Sequence, residues 1–420
     1  MKKWMMMVLT ALLIMTTCTA VLADNHYWNG SKKHDKGHGK GQQTVTVGAE
    51  VLMQKEKKML KGKRVGLITN PTGVDRNLNS VVDLLNNDPD IELKALYGPE
   101  HGVRGDAQAG SYVEYYIDEV TGLPVYSLYG QTRKPTPEML DGIDALVFDI
   151  QDVGTRFYTY IYTMALSMEA AKEKGIPFIV LDRPNPLGGE KVEGPVLDPE
   201  FASFVGQYPI PLRHGMTVGE LAQLFNKEFG IGADLSVVKM KGWNRKDYFD
   251  ETGLQFVMPS PNMPTLDTSL VYPGAALIEG TNVSEGRGTT KPFELIGAPF
   301  VSSPQLVHQL NQLNLPGVQF RAASFTPTFS KHSGKLSHGI QIHITDKEKY
   351  DPVVTGLHIV KTLKDLYPEQ VQLTSFFDKL IGNGWVREGI EQGMTVEEMQ
   401  KRWEKDLKQF KKVRKQYLLY

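Results

Sequence analysis

The chain has 420 residues, with 47 Lys and Arg against 48 Asp and Glu, 41% hydrophobic residues and 23% charged residues. That length supports two or three domains around a sizeable core, and the composition excludes wholesale disorder and a multi-span membrane protein. A net charge of −1 leaves no basic excess to neutralise a phosphate backbone, so nucleic acid is not an expected partner.

Lys2 and Lys3 precede an apolar run from Trp4 to Met15, and Val21-Leu22-Ala23 follows as a cleavage context. This pattern predicts a secretory signal peptide over 1–23, hence a secreted product, extracellular or cell-wall associated, with no stable membrane insertion after cleavage. The one cysteine, Cys18, lies inside the signal, so disulfides and thiol catalysis are not expected in the mature chain. Residues 24–45 mix Gly and Lys with His26, His34 and His38 and lack apolar periodicity. They predict a flexible leader, and the three histidines read as part of a solvated tether rather than a metal site.

Regular patterning then begins. Apolar runs at 64–69, 91–97, 144–150 and 177–181 predict strands, with helices over 79–86 and 157–174 between some of them, and the alternation implies a parallel α/β sheet. Thr217 and Glu220 form the signature of a capping box opening a helix, and a strand is expected at 234–240. After the proline-rich stretch 259–265 the alternation weakens, which places a domain boundary near 266 and divides the folded chain into 46–266 and 267–420. Strands are expected at 318–325 and 339–345, and helices at 352–366 and 395–417, the last opened by a second capping box at Thr395 and Glu398.

The common dinucleotide, P-loop, zincin and serine-hydrolase signatures are absent, so no cofactor is expected. Ligands of open parallel sheets bind beyond the carboxyl ends of the strands, where polar clusters follow each apolar run. These clusters contain Asn70, then Glu100, His101 and Arg104, then Asp149, Asp152 and Arg156, then Asp182. Glu100 stands out because Gly98 and Gly102 flank it and leave the backbone free to approach a substrate. His101 is a candidate to orient a substrate hydroxyl or tune Glu100. Glu100, His101, Asp149 and Asp152 also offer a metal alternative, though without diagnostic spacing, so no metal is expected. The segment 279–299 sets Glu285 and Arg287 among glycines, with Asn282, Thr289 and Thr290 nearby, a pattern suited to a polyhydroxylated ligand.

YGPEHGVRG (97–105), FDIQDVGTRFYTY (148–160), LDRPNP (181–186), PSPNMPT (259–265, containing Asn262) and EGTNVSEGRGTT (279–290) occur in this order. Together they resemble the NamZ family of exo-β-N-acetylmuramidases. The resemblance implies a Rossmann-like N-terminal domain, a smaller α+β C-terminal domain and an active site in the cleft between them. It also implies removal of N-acetylmuramic acid from the non-reducing ends of peptidoglycan-derived muramyl oligosaccharides, with Glu100 at the position of the family's probable catalytic glutamate.

Glycoside cleavage commonly uses an acid at the leaving oxygen and a second group at the oxocarbenium-like carbon. Glu100 suits the first role; Glu285, Asp149 or the sugar's own acetamido carbonyl suits the second. Arg104, Arg156 and Arg287 are candidate partners for the lactyl carboxylate, and Tyr158 or Tyr272 for stacking on the sugar. A wall-binding lectin without turnover and a metal-dependent hydrolase of another substrate are the alternatives.

Overall fold

A computed structural model describes residues 44–105 and 114–420. The expected signal peptide and almost all of the leader lie outside those residues. Thr44 and Val45, the last two residues assigned to the leader, already belong to the fold: Val45 is buried against Met240 and Trp243.

Strands β1 (Arg64–Thr69), β2 (Glu92–Gly98), β3 (Tyr116–Ile117), β4 (Pro124–Ser127), β5 (Ala145–Asp149) and β6 (Phe178–Leu181) run through the first half of the chain. β7 (Glu193–Val196) and β8 (Pro211–Arg213) form a separate antiparallel ribbon, and β9 (Leu235–Val238) returns to the main sheet. That sheet has the order β3-β4-β2-β1-β5-β6-β9 and is parallel throughout except for the β3–β4 edge. Successive connections leave β1 in opposite directions, so the strand order reverses between β1 and β5. Both central strands are apolar on both faces because helices or loops cover each side, which is why they read as continuous hydrophobic runs.

The helix Tyr160–Lys174 is buried on most of its circumference, including Tyr160, Ile161, Tyr162, Met164 and Met168, and stops at Gly175 in the left-handed conformation. Both capping boxes are formed, at Thr217–Glu220 and Thr395–Glu398. In the C-terminal part, β10 (Leu295–Ala298), β11 (Val318–Phe325) and β12 (Ser337–Ile344) make an antiparallel sheet in the order β10-β12-β11, with the helices Leu266–Ala275, Ser303–Gln312 and Pro352–Leu366 around it. The fold is thus α/β with a smaller α+β C-terminal part. One apolar core runs through both, from Phe148 and Ile161 to Ile296, Ile340 and Leu357. No helix among the described residues is long and apolar enough to cross a membrane.

The chain end returns to the first part. Arg414, on the last helix Val396–Arg414, donates to the carbonyls of Gly189 and Gly215, and Tyr420 sets its ring edge-on to Trp243. The Tyr420 hydroxyl donates to Asp182 Oδ2 at 2.7 Å, and Thr217 Oγ1 and the Gly219 amide also donate to that carboxyl, each at 2.8 Å. Burial nonetheless raises Asp182 to about 6. A raised folded-state value means this group's contribution is complete below about pH 4 and is lost as pH rises through about 6. Asp182→Asn is therefore expected to flatten the fall in thermal midpoint between pH 4.5 and 7. An unchanged slope in calorimetry would remove Asp182 from that dependence.

Candidate active site

β2 ends at Gly98, and the chain turns at once through Pro99–Gly102, where the Gly102 amide donates to the Pro99 carbonyl at 2.9 Å. A Cβ on Gly98 would meet the Val103 nitrogen at 2.9 Å, and Gly102 sits at φ 75°. The two glycines therefore serve this tight turn, folding the loop on itself, and not the close approach to substrate that the sequence suggested. The turn presents Glu100 and His101 to a cavity of about 530 Å³. His101 is itself left-handed, as are Phe293 and Ser330, so three of the six such non-glycine residues among the described residues line this one cavity. Clustered backbone strain of this kind marks functional sites.

Glu100 Oε2 accepts from Thr159 Oγ1 at 2.9 Å. Thr159 is the N-cap residue of the Tyr160–Lys174 helix, and its hydroxyl turns to Glu100 instead of capping that helix. The carboxyl group thus faces the N-terminus of that helix. Tyr129 also bonds Glu100; burial first, then the Glu100 charge and that bond, push its phenol up to about 12. Tyr158 and Tyr272 stand edge-on at 5.8 Å, and Phe293 packs edge-on to Tyr272 at 4.7 Å, giving the cavity an aromatic wall. Asn262 and Ser260 line it from the proline-rich turn.

The opposite wall comes from the C-terminal part. The short 3-10 helix Ala276–Gly280 carries Glu279 into the cavity, and Gly280 is required because a Cβ there would meet Phe377 Cα at 2.4 Å. Arg287 Nη2 lies 3.1 Å from Glu279 and its Nε 3.3 Å from Glu285. Burial raises Glu279, with Arg287 opposing the rise and the Glu285 charge adding to it. Glu279 is not among the sequence candidates: Gly280 follows it as Gly286 follows Glu285, and nothing local separates the two carboxylates.

The structure brings Glu100, His101, Tyr158, Asn262, Tyr272 and Arg287 together and leaves the other candidates outside the cavity lining. Glu285 is 2% exposed and held by Arg287 and Lys331 behind the wall. Asp149 is fully buried in a bidentate pair with Arg183, at 2.5 and 2.8 Å, so it is a structural anion rather than a reacting one. Asn70 closes a turn by accepting from the Thr72 amide, and Asp152 accepts from the Gly154 amide. Asn282 is spent on Gln370 and Gln372, and Arg104 forks onto Asp118. Among the described residues no group of three His, Cys, Asp or Glu is placed to hold a metal ion.

Arg156 is wholly buried and donates to the carbonyls of Pro195, Ile210 and Leu380, stitching the β7–β8 ribbon to the helix Ser375–Ile381; burial lowers it to about 10. Arg156→Ala strands three carbonyls, so a stability loss of about 3 kcal/mol or more is expected in denaturant unfolding. A change below about 1 kcal/mol would contradict this structural role.

A residue not singled out in the sequence completes the cavity. Arg133 lines it with its guanidinium 4.1 Å from the Phe204 ring centroid, and no carboxylate among the described residues lies in ion-pair range of it. Its neighbour Lys134 pairs with Glu169 and Glu173. Arg133 lay in a loop of unremarkable composition, without a motif to mark it.

A carboxylate from each part of the molecule, an aromatic wall and cationic side chains meet beyond the carboxyl end of β2, a set of groups suited to glycoside cleavage. Residues 65–267 match the family model described as exo-β-N-acetylmuramidase NamZ, N-terminal, and residues 270–420 match its C-terminal counterpart. The chain belongs to this family, as its five motifs implied. It is 62% identical over 422 residues to the peptidoglycan β-N-acetylmuramidase NamZ of Bacillus subtilis (strain 168), with 100% of both chains covered. Two crystal structures of DUF1343 family proteins from Bacteroides fragilis NCTC 9343 have the same fold. They show TM-scores of 0.83 and 0.72 at 44% and 34% identity, each comparison covering 90% of this chain and 99% of the other.

Proposed function

We propose that this chain is a secreted exo-β-N-acetylmuramidase that removes N-acetylmuramic acid from the non-reducing ends of peptidoglycan fragments, with Glu100 as general acid. The observation that carries the reading is the placement of Glu100 and Glu279 in one cavity, contributed by the two parts of the chain. Glu100 gives its proton to the leaving oxygen. Glu279 takes the second role in place of Glu285 and Asp149, stabilising charge at the anomeric carbon directly or through the sugar's acetamido carbonyl, until water adds at that carbon and returns a proton to Glu100. Arg133 reads the lactyl carboxylate: it is cationic, lies over the Phe204 ring and is free of an ion pair among the described residues, whereas Arg287 is committed to Glu279 and Glu285. The Bacillus subtilis relative and the two matched family models support the same activity.

Incubation with a muramyl-glucosaminyl disaccharide and with intact glycan strands tests the reading. Free N-acetylmuramic acid should appear from the first time point, with strand interiors spared and activity retained after chelation. Tight binding without release would identify a lectin, and early internal fragments or chelator-sensitive turnover would overturn the proposal.

A further inference from the structure

A second cavity, of about 590 Å³, shares no lining residue with the first. It lies between β7, the end of the helix Val218–Glu228, and the helices Trp385–Glu391 and Val396–Arg414. Prolines and aliphatic side chains share its apolar lining with the partly exposed rings of Phe229 and Trp385 and the buried rings of Trp403 and Phe410, the two indoles having centroids 6.2 Å apart. Arg402 covers Trp385 at 4.3 Å and is the one cation of the lining, against the carboxylates of Asp198, Glu228 and Asp406.

Each of these features narrows the ligand. Aromatic faces pack against the C–H faces of sugars, and carboxylates accept from sugar hydroxyls. Three acids against one base repel an anion. Asn383, 3% exposed and part of the lining, accepts from the Val386 amide through Oδ1, while its Nδ2 has no hydrogen-bond partner among the described residues. A buried donor left unpaired carries a desolvation cost that a ligand carbonyl, such as that of an acetamido group, would relieve.

We infer that this cavity is a second glycan site that takes a neutral N-acetylhexosamine unit. The choice of N-acetylglucosamine within that class rests on the peptidoglycan reading above. Its charge preference is the reverse of the catalytic cleft, where Arg133 awaits a carboxylate: the acid sugar is taken at one site and its neutral neighbour at the other. The second site would hold the enzyme on glycan while terminal muramic acid is removed elsewhere on the molecule.

The test is titration of the full-length enzyme with N-acetylglucosamine, followed by tryptophan fluorescence and saturation-transfer NMR. Gln409→Trp fills the cavity from an exposed helix position, and Asn383→Asp keeps the Oδ1 acceptor for Val386 while removing the amide donor. Saturable binding is expected in the wild type, weakened about tenfold or more in each variant, with turnover of an aryl muramide within twofold of wild type. N-acetylmuramic acid should compete at this site at least about tenfold less well than N-acetylglucosamine. Absence of saturable binding, unchanged binding in Gln409→Trp, or preference for the acidic sugar or a free stem peptide would overturn the inference. Neutral-sugar binding that Gln409→Trp abolishes, in an enzyme that releases no muramic acid, would sink the proposed activity and leave this site standing.

Discussion

Glu100→Gln is expected to lower turnover of an unactivated muramide by about 10²-fold or more while leaving the unfolding midpoint unchanged, because it removes the proton and keeps the shape. The glutamine carbonyl still accepts from Thr159, so the turn at Pro99–Gly102 and the N-terminus of the Tyr160–Lys174 helix keep their contacts. An aryl muramide with a good leaving group needs less proton donation and should lose much less. Kinetics on the two substrates separate these effects. Activity within a few-fold of wild type on the unactivated substrate would remove Glu100 from the acid role.

Arg133→Ala is expected to reduce kcat/KM for a muramide by about 10- to 100-fold, the range of a lost hydrogen bond to a charged group. The matching glucosaminide lacks the lactyl carboxylate and should be nearly unaffected, so the preference between the two sugars collapses. Arg133→Lys keeps the charge but loses the planar fork lying over Phe204, and should recover only part of the loss. Arg287→Ala should impair both substrates together, since its guanidinium holds Glu279 at 3.1 Å. Equal losses on muramide and glucosaminide for Arg133→Ala would show that the carboxylate is read elsewhere.

Elements with strong local signals were legible in the sequence. The runs at 64–69 and 318–325 are strands β1 and β11, the helix expected over 352–366 is Pro352–Leu366, and both capping boxes open their helices at Thr217 and Thr395. Short or weakly patterned elements were not: the β7–β8 ribbon, the edge strand β3 with its neighbour β4, and the seven-residue helices Ser375–Ile381 and Trp385–Glu391. Their positions follow from tertiary contacts, such as the buried Arg156 guanidinium that ties β7 to Leu380.

The site divided along similar lines. Glu100 and His101 were visible because a strand end and a glycine-bounded turn announce themselves locally. Composition cannot distinguish a carboxylate that lines the cavity from one buried in an ion pair, and Asp149 is tied up by Arg183, which lies 34 residues further along the chain. The roles proposed for Glu279 and Arg133 depend on their sharing a cavity with Glu100, and no spacing within either segment encodes that placement.

The most direct measurement is a crystal structure of the Glu100→Gln variant soaked with a muramyl disaccharide. The terminal sugar should lie against the aromatic wall formed by Tyr158 and Tyr272, with the glycosidic oxygen against residue 100, the anomeric carbon facing Glu279 and the lactyl carboxylate on Arg133. A sugar seated away from residue 100, or a lactyl group turned from Arg133 toward Arg287, would contradict this placement.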